Sequence, residues 1–212
     1  NFKINKYKVV FHLAAQAGVR FSITNPDEYI SSNLVGFHNV INSSSIIKVS
    51  HFLFASSSSV YGSNQKFPLK EAYNTDTPLS LYAATKKSNE VIAHSYSNIF
   101  NLPCTGLRFF TVYGPYGRPD MSLYKFIEAT FKNKKLDLFN NGNHTRDFTY
   151  IDDVITSLTK LISKSSKDKI PYQVLNICND NPIKLKKYLD IIFKQLQKKT
   201  KINNLNLQIG DV

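Results

Sequence analysis

Short apolar runs alternate with longer amphipathic stretches along this chain, and the apolar runs predict where its strands lie. Val9–Leu13, Phe52–Ser56 and Thr105–Phe110 are each largely apolar at consecutive positions. Strands that are covered by helices on both faces have this composition, so we expect these three to lie centrally in a parallel sheet. Shorter strands are predicted later in the chain, at Leu136–Phe139, Asp147–Tyr150 and Val174–Ile177.

Between these strands, apolar positions recur with the 3.6-residue period of amphipathic helices. The predicted helices are Asp27–Ser45, Leu81–Phe100, Ser122–Phe131, Ile151–Ser163 and Leu185–Lys198. Pro26 stands directly before the first of them, where its fixed φ angle suits the start of a helix. The alternation indicates an α/β fold, in which helices cover both faces of a doubly wound parallel sheet. The mixed elements after about Tyr113 suggest a smaller lobe near the carboxyl ends of the strands, where such sheets bind ligands.

A serine-rich strand end and a tyrosine–lysine pair carry the strongest chemical signal. Tyr82 and Lys86 are four residues apart on a predicted helix, so the ammonium can lie beside the phenol and favour its ionised form. A serine hydroxyl from the strand end can bind the same phenol or a substrate oxygen. We predict that Ser57, Tyr82 and Lys86 move a proton during hydride transfer, with Ser58 or Ser59 as alternatives for the serine. An ordinary half-buried helix residue is the alternative for Tyr82.

Composition narrows the class of protein. The 212 residues include 27 Lys and Arg against 15 Asp and Glu, a formal net charge of +12. The lysines are scattered over several helices without an aromatic and basic platform, so no nucleic-acid partner is predicted. No apolar run approaches the length of a membrane span, and no signal-peptide pattern opens the chain. We therefore expect a cytoplasmic protein without a membrane partner.

The two cysteines, Cys104 and Cys178, do not indicate a disulfide or a metal site. Their spacing is not that of a paired motif, and no histidines accompany them at ligand spacing. We expect both to be small core residues in a reducing compartment, and we expect no bound metal.

The front of the chain lacks a feature that dinucleotide-binding sheets normally have. Such a sheet opens with a strand, a glycine-rich turn and a helix, because glycines let the backbone approach the pyrophosphate. Neither G-x-G-x-x-G nor G-x-x-G-x-x-G occurs in this sequence. The polar residues 1–8 are followed instead by what would be the fourth strand of the sheet. We therefore expect an N-terminally truncated fragment, which also stops abruptly at Gly210–Val212.

Several short motifs follow one another in a fixed order. They are H-L-A-A-Q-A-G-V-R at 12–20, S-N-L-V-G at 32–36, A-S-S-S-S-V-Y-G at 55–62, S-L-Y-A-A-T-K-K at 80–87, L-R-F-F-T-V-Y-G-P at 107–115, G-R-P-D-M at 117–121 and R-D-F-T-Y-I-D-D at 146–153. With these motifs the chain, from about Val9 to Val212, resembles the extended short-chain dehydrogenase/reductase family, in its NAD-dependent epimerase/dehydratase branch. Within that branch it is most similar to the UDP-glucuronate 4-epimerases.

The resemblance implies a fold, a cofactor and an activity. Residues 1–112 would form a partial, Rossmann-like NAD-binding domain with the catalytic helix. Residues 113–212 would form mainly a substrate-binding lobe, with some return to the core sheet. The implied enzyme is an isomerase that uses NAD to convert UDP-glucuronate into UDP-galacturonate through a 4-keto intermediate. A homodimer is expected, because helices beside this sheet commonly form the dimer contact in the family.

The resemblance also assigns binding residues. Those placed beside NAD are Leu13, Ala14, Ala15, Gln16, Asn33, Tyr82, Lys86 and Phe110. Those placed at the substrate are Ser58, Ser59, Thr111, Arg118 and Arg146. Arg146 would lie near the diphosphate and Arg118 near the sugar carboxylate, since a guanidinium fork suits both anions. A structural salt bridge is the alternative for each arginine.

Other assignments stay open at this point. Asp147, Asp152 and Asp153 are expected to cap the following helix rather than to catalyse. Related 4,6-dehydratases carry acidic residues where this chain has Ser58 and Ser59, which disfavours dehydration. UDP-glucose 4-epimerase, a decarboxylase and a catalytically silent binding protein remain alternatives, and the residues do not fix the sugar. A proline of the family pattern is replaced at position 209, which leaves the late nucleotide contacts open.

Overall fold

The computed structural model describes residues 7–64 and 66–207, and these residues form two compact units. The first unit contains the described residues up to Phe109 and the segment Ile155–Ile177. The second unit contains Phe110–Val154 and the described residues from Cys178 onward. The departure from the family pattern at Ile209 lies outside the described residues.

The elements alternate as expected for an α/β chain. In chain order the strands are β1 (Val9–His12), β2 (His51–Ser57), β3 (Cys104–Phe109), β4 (Thr111–Tyr113), β5 (Leu136–Phe139), β6 (Thr145–Tyr150), β7 (Tyr172–Ile177), β8 (Pro182–Lys184) and β9 (Ile202–Leu205). The α-helices are α1 (Phe21–Thr24), α2 (Pro26–Tyr29), α3 (Phe37–Ile46), α4 (Leu81–Phe100), α5 (Ser122–Phe131), α6 (Ile151–Leu161) and α7 (Leu185–Leu196). A π-helical segment, Ile30–Gly36, joins α2 to α3, and 3₁₀ turns lie at Ser58–Tyr61 and Asn140–Gly142.

The first unit contains a parallel sheet in the order β1, β2, β3, β7. β2 and β3 lie in its centre and are buried along most of their length, as predicted. β1 pairs with β2 alone among the described strands, and its residues are half-buried or exposed. The prediction of a central position was wrong for β1 in the described part of the chain. Because one of its edges lacks a neighbouring strand there, part of its apolar surface stays uncovered.

Aromatic rings fill the core between this sheet and its helices. Phe37 of α3 contacts Phe52 and Phe54 of β2 edge to face, with centroids 5.9 and 5.3 Å away. All three are fully buried. A Cβ atom on Gly106 of β3 would lie 2.9 Å from the Phe54 ring. Glycine at this position therefore makes room for the ring between neighbouring strands.

The first predicted helix is confirmed, but its middle differs from a regular α-helix. Helical structure runs without a break through Pro26–Ile46, against a predicted Asp27–Ser45. Its centre, Ile30–Gly36, is a π-helical segment. Such widened turns are rare and are found frequently at functional sites. The apolar period does not reveal them, because one inserted residue hardly changes the pattern.

The second unit has its own sheets and core. β4 pairs with β6 in parallel, β6 pairs with β8 antiparallel, and β5 pairs with β9 in parallel. Phe148 of β6 stacks on Tyr188 of α7, with ring centroids 3.9 Å apart. Phe126, Leu136 and Leu189 are buried in the same cluster. The predicted helices α5 and α7 are confirmed, whereas the short strands β4, β8 and β9 were not predicted.

The three aspartates at the start of α6 have different roles. Asp152 and Asp153 lie in its first turn, as expected. Asp147 does not cap the helix, so that prediction was wrong. Its carboxylate is buried and accepts hydrogen bonds from the backbone N–H groups of Asn179 and Asn181, at 2.8 and 2.9 Å. Asp147 therefore holds the loop before β8.

The two cysteines also differ. Cys104 is buried at the start of β3, and burial raises the pKa of its thiol to about 12. Cys178 directly follows the end of β7 and is exposed. The prediction of a core position is confirmed for Cys104 and wrong for Cys178.

Candidate active site

The end of β2 places the predicted serines at a 3₁₀ turn. Ser57 is the last residue of β2 and caps the turn Ser58–Tyr61. Its Oγ accepts a hydrogen bond from the backbone N–H of Ser59 at 3.1 Å. This bond uses the oxygen as an acceptor, so it leaves the hydroxyl proton for another partner. Ser57 is buried, whereas Ser58 and Ser59 are half-buried.

The chain leaves this turn through Gly62, which the local geometry requires. Gly62 has a φ angle of +58°, and a Cβ atom there would lie 2.5 Å from the carbonyl oxygen of Thr77. Any side chain would therefore meet both backbone strain and a backbone atom. The glycine of the S-V-Y-G motif thus fixes the path of the chain directly after the serines.

Helix α4 presents the predicted tyrosine and lysine in its first two turns. Ser80 caps the helix, since its Oγ accepts a hydrogen bond from the Ala83 N–H at 3.1 Å. Tyr82 is half-buried in the first turn, and Lys86 follows one turn later on the same face. The Lys86 Nζ donates to the carbonyl oxygen of Ala55 at 2.8 Å. The lysine is therefore held against the end of β2, two residues before the predicted serine.

Burial controls the charge of Lys86. Its side chain is 3% exposed, and desolvation lowers the pKa of Lys86 to about 8. No carboxylate forms an ion pair with it among residues 7–64 and 66–207. An ammonium has three hydrogens, and the Ala55 carbonyl takes one of them. The other two suit a phenolate or the hydroxyl groups of a bound molecule.

Asn33 links the segment after β1 to helix α4. Its Oδ1 accepts from the Gln16 N–H at 2.8 Å, and its Nδ2 donates to the Gln16 carbonyl at 2.9 Å. The same Nδ2 donates to Thr85 Oγ1 at 3.1 Å. Thr85 in turn donates to the carbonyl of Tyr82 at 2.8 Å. Asn33 and Gln16 were predicted, whereas Thr85 was missed, although it lies between Tyr82 and Lys86 in the motif.

A buried ion pair lies one turn beyond Lys86. Glu90 Oε1 accepts from Ser56 Oγ at 2.6 Å and from Arg108 Nε at 2.9 Å. Glu90 Oε2 accepts from Arg108 Nη2 at 2.8 Å. Together with the lysine bond, these contacts fasten two successive turns of α4 to the end of β2. The pair was not predicted, although an arginine in an otherwise apolar strand was an available signal.

His12 ends β1 close to the lysine. Burial, and then the positive charge of Lys86, lower the pKa of His12. The imidazole is therefore neutral at pH 7. Its ring contacts Phe37 and Phe52, with centroids 5.5 and 6.3 Å away. His12 was noted as the first residue of a motif, but no role was predicted for it.

The segment after β1 contains the residues predicted beside NAD. Leu13 and Ala14 are exposed, whereas Ala15 and Gln16 are half-buried. Because both alanines have small side chains, a flat ligand can approach the backbone closely here. The bonds from Asn33 fix the end of the segment at Gln16.

The remaining predicted residues lie in the second unit. Phe110 and Thr111 are half-buried at the start of that unit, where Thr111 begins β4. Arg118 forms a two-pronged contact with Asp120, and this contact lowers the pKa of that carboxyl. Arg146 donates from Nη1 to the carbonyl of Thr145 at 2.9 Å. The first unit thus contains Ser57, Tyr82, Lys86, Asn33 and Gln16. The second unit contains Phe110, Thr111, Arg118 and Arg146.

Within residues 7–64 and 66–207, none of the helices is long and apolar enough to cross a membrane. No group of three His, Cys, Asp or Glu side chains in the same range could hold a metal ion.

Comparison with known proteins decides the family. The model of the NAD dependent epimerase/dehydratase family matches residues 1–178. The chain belongs to this family. The matched region includes Ser57, Tyr82 and Lys86 as well as the nearby Asn33 and Glu90, so all five residues lie inside the part of the chain that the family model covers.

Two curated relatives of this epimerase/dehydratase are similar over nearly the whole chain. Protein CapI from Staphylococcus aureus is 49% identical over 97% of this chain and 66% of its own length. A probable UDP-glucuronate 4-epimerase from Rhizobium meliloti (strain 1021) is 41% identical over 97% of this chain and 64% of its own length. The chain therefore spans slightly less than two thirds of the length of these relatives.

Solved epimerase/dehydratase structures share its fold. UDP-glucuronic acid 4-epimerase from Bacillus cereus, in complex with UDP-glucuronic acid and NAD, has a TM-score of 0.88 at 34% identity. The match covers 96% of this chain and 64% of that one. MoeE5 in complex with UDP-glucose and NAD has a TM-score of 0.88 at 31% identity, over 97% of this chain and 68% of its own. The predicted Rossmann-like α/β fold is thereby confirmed.

Proposed function

We propose that this chain carries the catalytic centre of an NAD-dependent UDP-sugar 4-epimerase, an isomerase. The position of Lys86 supports this most strongly. Its buried ammonium is fastened to the end of β2 beside Ser57, and it lies on the helix face that carries Tyr82. A base, a cation that stabilises it and a hydroxyl group are what is needed to remove and return one proton at a sugar oxygen.

In this proposal, Tyr82 is the base. Its phenolate, stabilised by the Lys86 ammonium, takes the proton of the sugar 4-hydroxyl, while the Ser57 hydroxyl holds the 4-oxygen. When bound, NAD would supply a hydride acceptor for C4 and later a hydride donor to the other face of the resulting 4-keto sugar. Tyr82 then gives the proton back, and the configuration at C4 is inverted.

The first unit fits a nicotinamide cofactor. Lys86 has donors left for ribose hydroxyls, because Ala55 takes one of the three hydrogens of its ammonium. Ala14 and Ala15 allow close approach to the backbone, which Asn33 holds in place. In this unit, the residues that we propose to hold NAD are Leu13, Ala14, Ala15, Gln16, Asn33, Tyr82 and Lys86. We also propose Phe110, the first residue of the second unit, as an NAD contact.

UDP-glucuronate is the substrate that we propose, with UDP-galacturonate as the product. Support comes from the relative named as a probable UDP-glucuronate 4-epimerase and from the Bacillus cereus complex with UDP-glucuronic acid. We propose that Arg118 and Arg146 bind the anionic groups of the substrate, since a guanidinium fork suits both carboxylate and phosphate. Ser58, Ser59 and Thr111 would contact the sugar.

UDP-glucose is the second candidate. MoeE5, which has the same fold, is known in complexes with both UDP-glucose and UDP-glucuronic acid. A pocket of this family can therefore hold sugars with either a hydroxymethyl group or a carboxylate at C5. The two substrates differ in charge, so an arginine at the sugar should separate them.

A substrate comparison tests this proposal. The protein, in the full length in which it is made, is incubated with NAD and with UDP-glucuronate or UDP-glucose, and the products are resolved by chromatography. We expect UDP-galacturonate to form at least tenfold faster than UDP-galactose, and Arg118→Gln to remove this preference. Faster formation of UDP-galactose would overturn the assignment of the sugar. A 4-keto-6-deoxy product would indicate a dehydratase instead.

We further propose that the protein is a homodimer. Helix α4 exposes more than half of the surface of Val91, Ile99 and Phe100. Such apolar side chains on one helix favour contact with a second helix over contact with water. The contact between helices that the family resemblance implies would cover this surface.

A further inference from the structure

Tyr29 connects two parts of the proposed site. It is the last residue of α2 and directly precedes the π-helical segment. Its side chain is completely buried. The hydroxyl group and the ring have different partners, and both partners belong to the proposed site.

The Tyr29 hydroxyl holds the segment that would run beside NAD. Its oxygen lies 3.0 Å from the carbonyl oxygen of Ala17 and 2.5 Å from that of Gly18. These two carbonyls share the single hydroxyl proton. They directly follow Gln16, whose backbone is bound by Asn33. The segment is therefore held at consecutive residues by two side chains of one helical stretch.

The Tyr29 ring contacts the proposed base. It meets the ring of Tyr82 edge to face, with centroids 6.2 Å apart and an interplanar angle of 81°. The ring of Phe21 also contacts the Tyr29 ring, in a tilted arrangement with centroids 6.2 Å apart. An edge-to-face contact restricts the orientation of both rings. Because the Tyr29 ring is fixed by burial, it restricts the orientation of Tyr82.

The helical stretch makes two parallel connections. Asn33 joins Gln16 to α4 through Thr85, and Tyr29 joins the next residues of the segment to Tyr82. Tyr29 and Asn33 are four residues apart across the start of the π-helical segment, so both project toward the same side. This arrangement gives the widened helical turn a role at the site.

We propose that Tyr29 is a positioning residue that couples the cofactor-facing segment to the orientation of the catalytic base. This inference rests on the proposed function. The hydroxyl fixes the backbone at Ala17 and Gly18, and the ring fixes the plane of Tyr82. A displacement of the segment is thus transmitted to the base through one rigid side chain. The hydroxyl serves cofactor retention, and the ring serves the chemical step.

Two substitutions separate the roles of the hydroxyl and the ring. Tyr29→Phe removes both carbonyl contacts and keeps the ring against Tyr82. Tyr29→Leu also removes the ring. Tyr96→Phe is the matched control, because it removes a tyrosine hydroxyl whose partner is Asn42 Oδ1 at 3.4 Å, on another part of the same unit.

Four quantities are measured on the full-length protein. They are kcat and KM for UDP-glucuronate, the rate of NAD release, and amide hydrogen exchange in the segment around Ala17 without substrate. We expect Tyr29→Phe to raise NAD release about tenfold and to speed exchange in this segment, with kcat within about threefold of wild type. We expect Tyr29→Leu to lower kcat by about 10- to 100-fold, with KM changed less than about threefold.

The outcomes distinguish this inference from the proposed function. Hydrogen exchange is measured without substrate, so it tests Tyr29 whatever reaction the protein catalyses. If exchange in Tyr29→Phe equals that in wild type and in Tyr96→Phe, the role of the hydroxyl is overturned. If folded Tyr29→Leu keeps the wild-type kcat, the role of the ring is overturned. If wild-type protein forms no epimer from any UDP-sugar, the proposed function fails while the exchange result still decides the role of the hydroxyl.

Discussion

At the scale of single residues, the proposed site contains buried charged side chains. Their positions serve the site, whereas their burial costs stability. Lys86 is the clearest case, since its ammonium is nearly inaccessible and is compensated by one backbone carbonyl in the described chain (residues 7–64 and 66–207). Desolvation of this kind makes the charged form unfavourable in the folded protein. Its pKa of about 8, against 10.5 for a free lysine, reflects that cost.

Replacing Lys86 by methionine should stabilise the fold. Folding lowers the pKa of Lys86 from 10.5 to about 8, so above pH 10.5 the lysine is neutral in both states and its charge costs no stability. The cost appears as the pH falls below 10.5 and is complete below about pH 8. The charge of Lys86 therefore lowers the free energy of unfolding by roughly 3 kcal/mol at pH 7. Methionine removes this cost but leaves the Ala55 carbonyl without its donor, which costs about 1 kcal/mol. We expect urea unfolding at pH 7 to show Lys86→Met more stable by about 1 to 2 kcal/mol, with the difference shrinking toward pH 10.5.

Lys87→Met is the control for this experiment, because the Lys87 side chain is partly exposed and pairs with Asp76. We expect it to change the free energy of unfolding by less than about 1 kcal/mol at either pH. A Lys86→Met protein that is less stable than wild type at pH 7 would contradict the account of a desolvated charge.

Removing the charge of Glu90 should strongly destabilise the protein. Glu90→Gln leaves the Arg108 guanidinium buried without a carboxylate, which costs about 3 to 5 kcal/mol in comparable buried pairs. Replacing both residues, as in Glu90→Leu with Arg108→Met, should restore most of that loss. The measurement is urea unfolding of the three proteins. A cost below about 1 kcal/mol for Glu90→Gln would show that the pair is not desolvated.

The sequence predicts residues whose contacts follow from their spacing along the chain. It does not predict residues whose contacts join different segments. Tyr82 and Lys86 could be predicted because their helical spacing alone puts them on one face. The spacing of Glu90 and Arg108 gives no such signal, since their contacts depend on how α4 lies over β2 and β3. Thr85 was missed because its side-chain partner, Asn33, comes from a different segment. Tyr29 was missed for the same reason, because its partners come from two other segments.

At the scale of elements, boundaries were predictable where a local signal ends the element. α4 begins and ends where predicted, at Leu81 and Phe100, since Ser80 caps it and Asn101 adopts a left-handed conformation at its end. β1 shows the opposite case. Its apolar sequence predicted a central strand, but the number of neighbouring strands is a property of the sheet and is not encoded within the strand. The strands β4, β8 and β9 have only three or four residues each, which is too short for an alternation of apolar and polar positions to be recognised.

The cap of α4 should matter for both stability and activity. Ser80→Ala removes the acceptor for the Ala83 N–H, which typically costs about 1 kcal/mol. Tyr82 lies in the turn that this cap holds, so we also expect kcat for UDP-glucuronate to fall about two- to tenfold. Ser88→Ala is the control, because the Ser88 hydroxyl donates to the carbonyl of Ala84 within the same helix and does not cap the helix. Equal effects of the two substitutions would contradict a role for the cap.

At the scale of the whole molecule, the predicted residues divide between two compact units. Ser57, Tyr82 and Lys86 lie in the first, and Arg118 and Arg146 lie in the second. The chain passes from the first unit to the second after β3 and returns for a segment that includes β7. The family match, which extends to residue 178, covers the first unit and all of Phe110–Val154.

The proposed homodimer gives a prediction at this scale. We expect the full-length protein to sediment as a dimer at micromolar concentration, and the double substitution Val91→Lys with Ile99→Lys to sediment as a folded monomer, because two charges would have to be desolvated in the contact. Phe131→Lys, which changes an exposed residue of α5, should remain dimeric. A wild-type monomer would contradict the proposal.

The proposal that Tyr82 is the base of a UDP-sugar 4-epimerase can be tested by removing its hydroxyl group. Full-length wild type and Tyr82→Phe are incubated with NAD and UDP-glucuronate, and UDP-galacturonate is resolved by chromatography, with Tyr96→Phe as control. We expect wild type and Tyr96→Phe to form the epimer, and Tyr82→Phe to lose at least about 100-fold in kcat while it still binds NAD. An epimer formed equally fast by Tyr82→Phe would contradict the account.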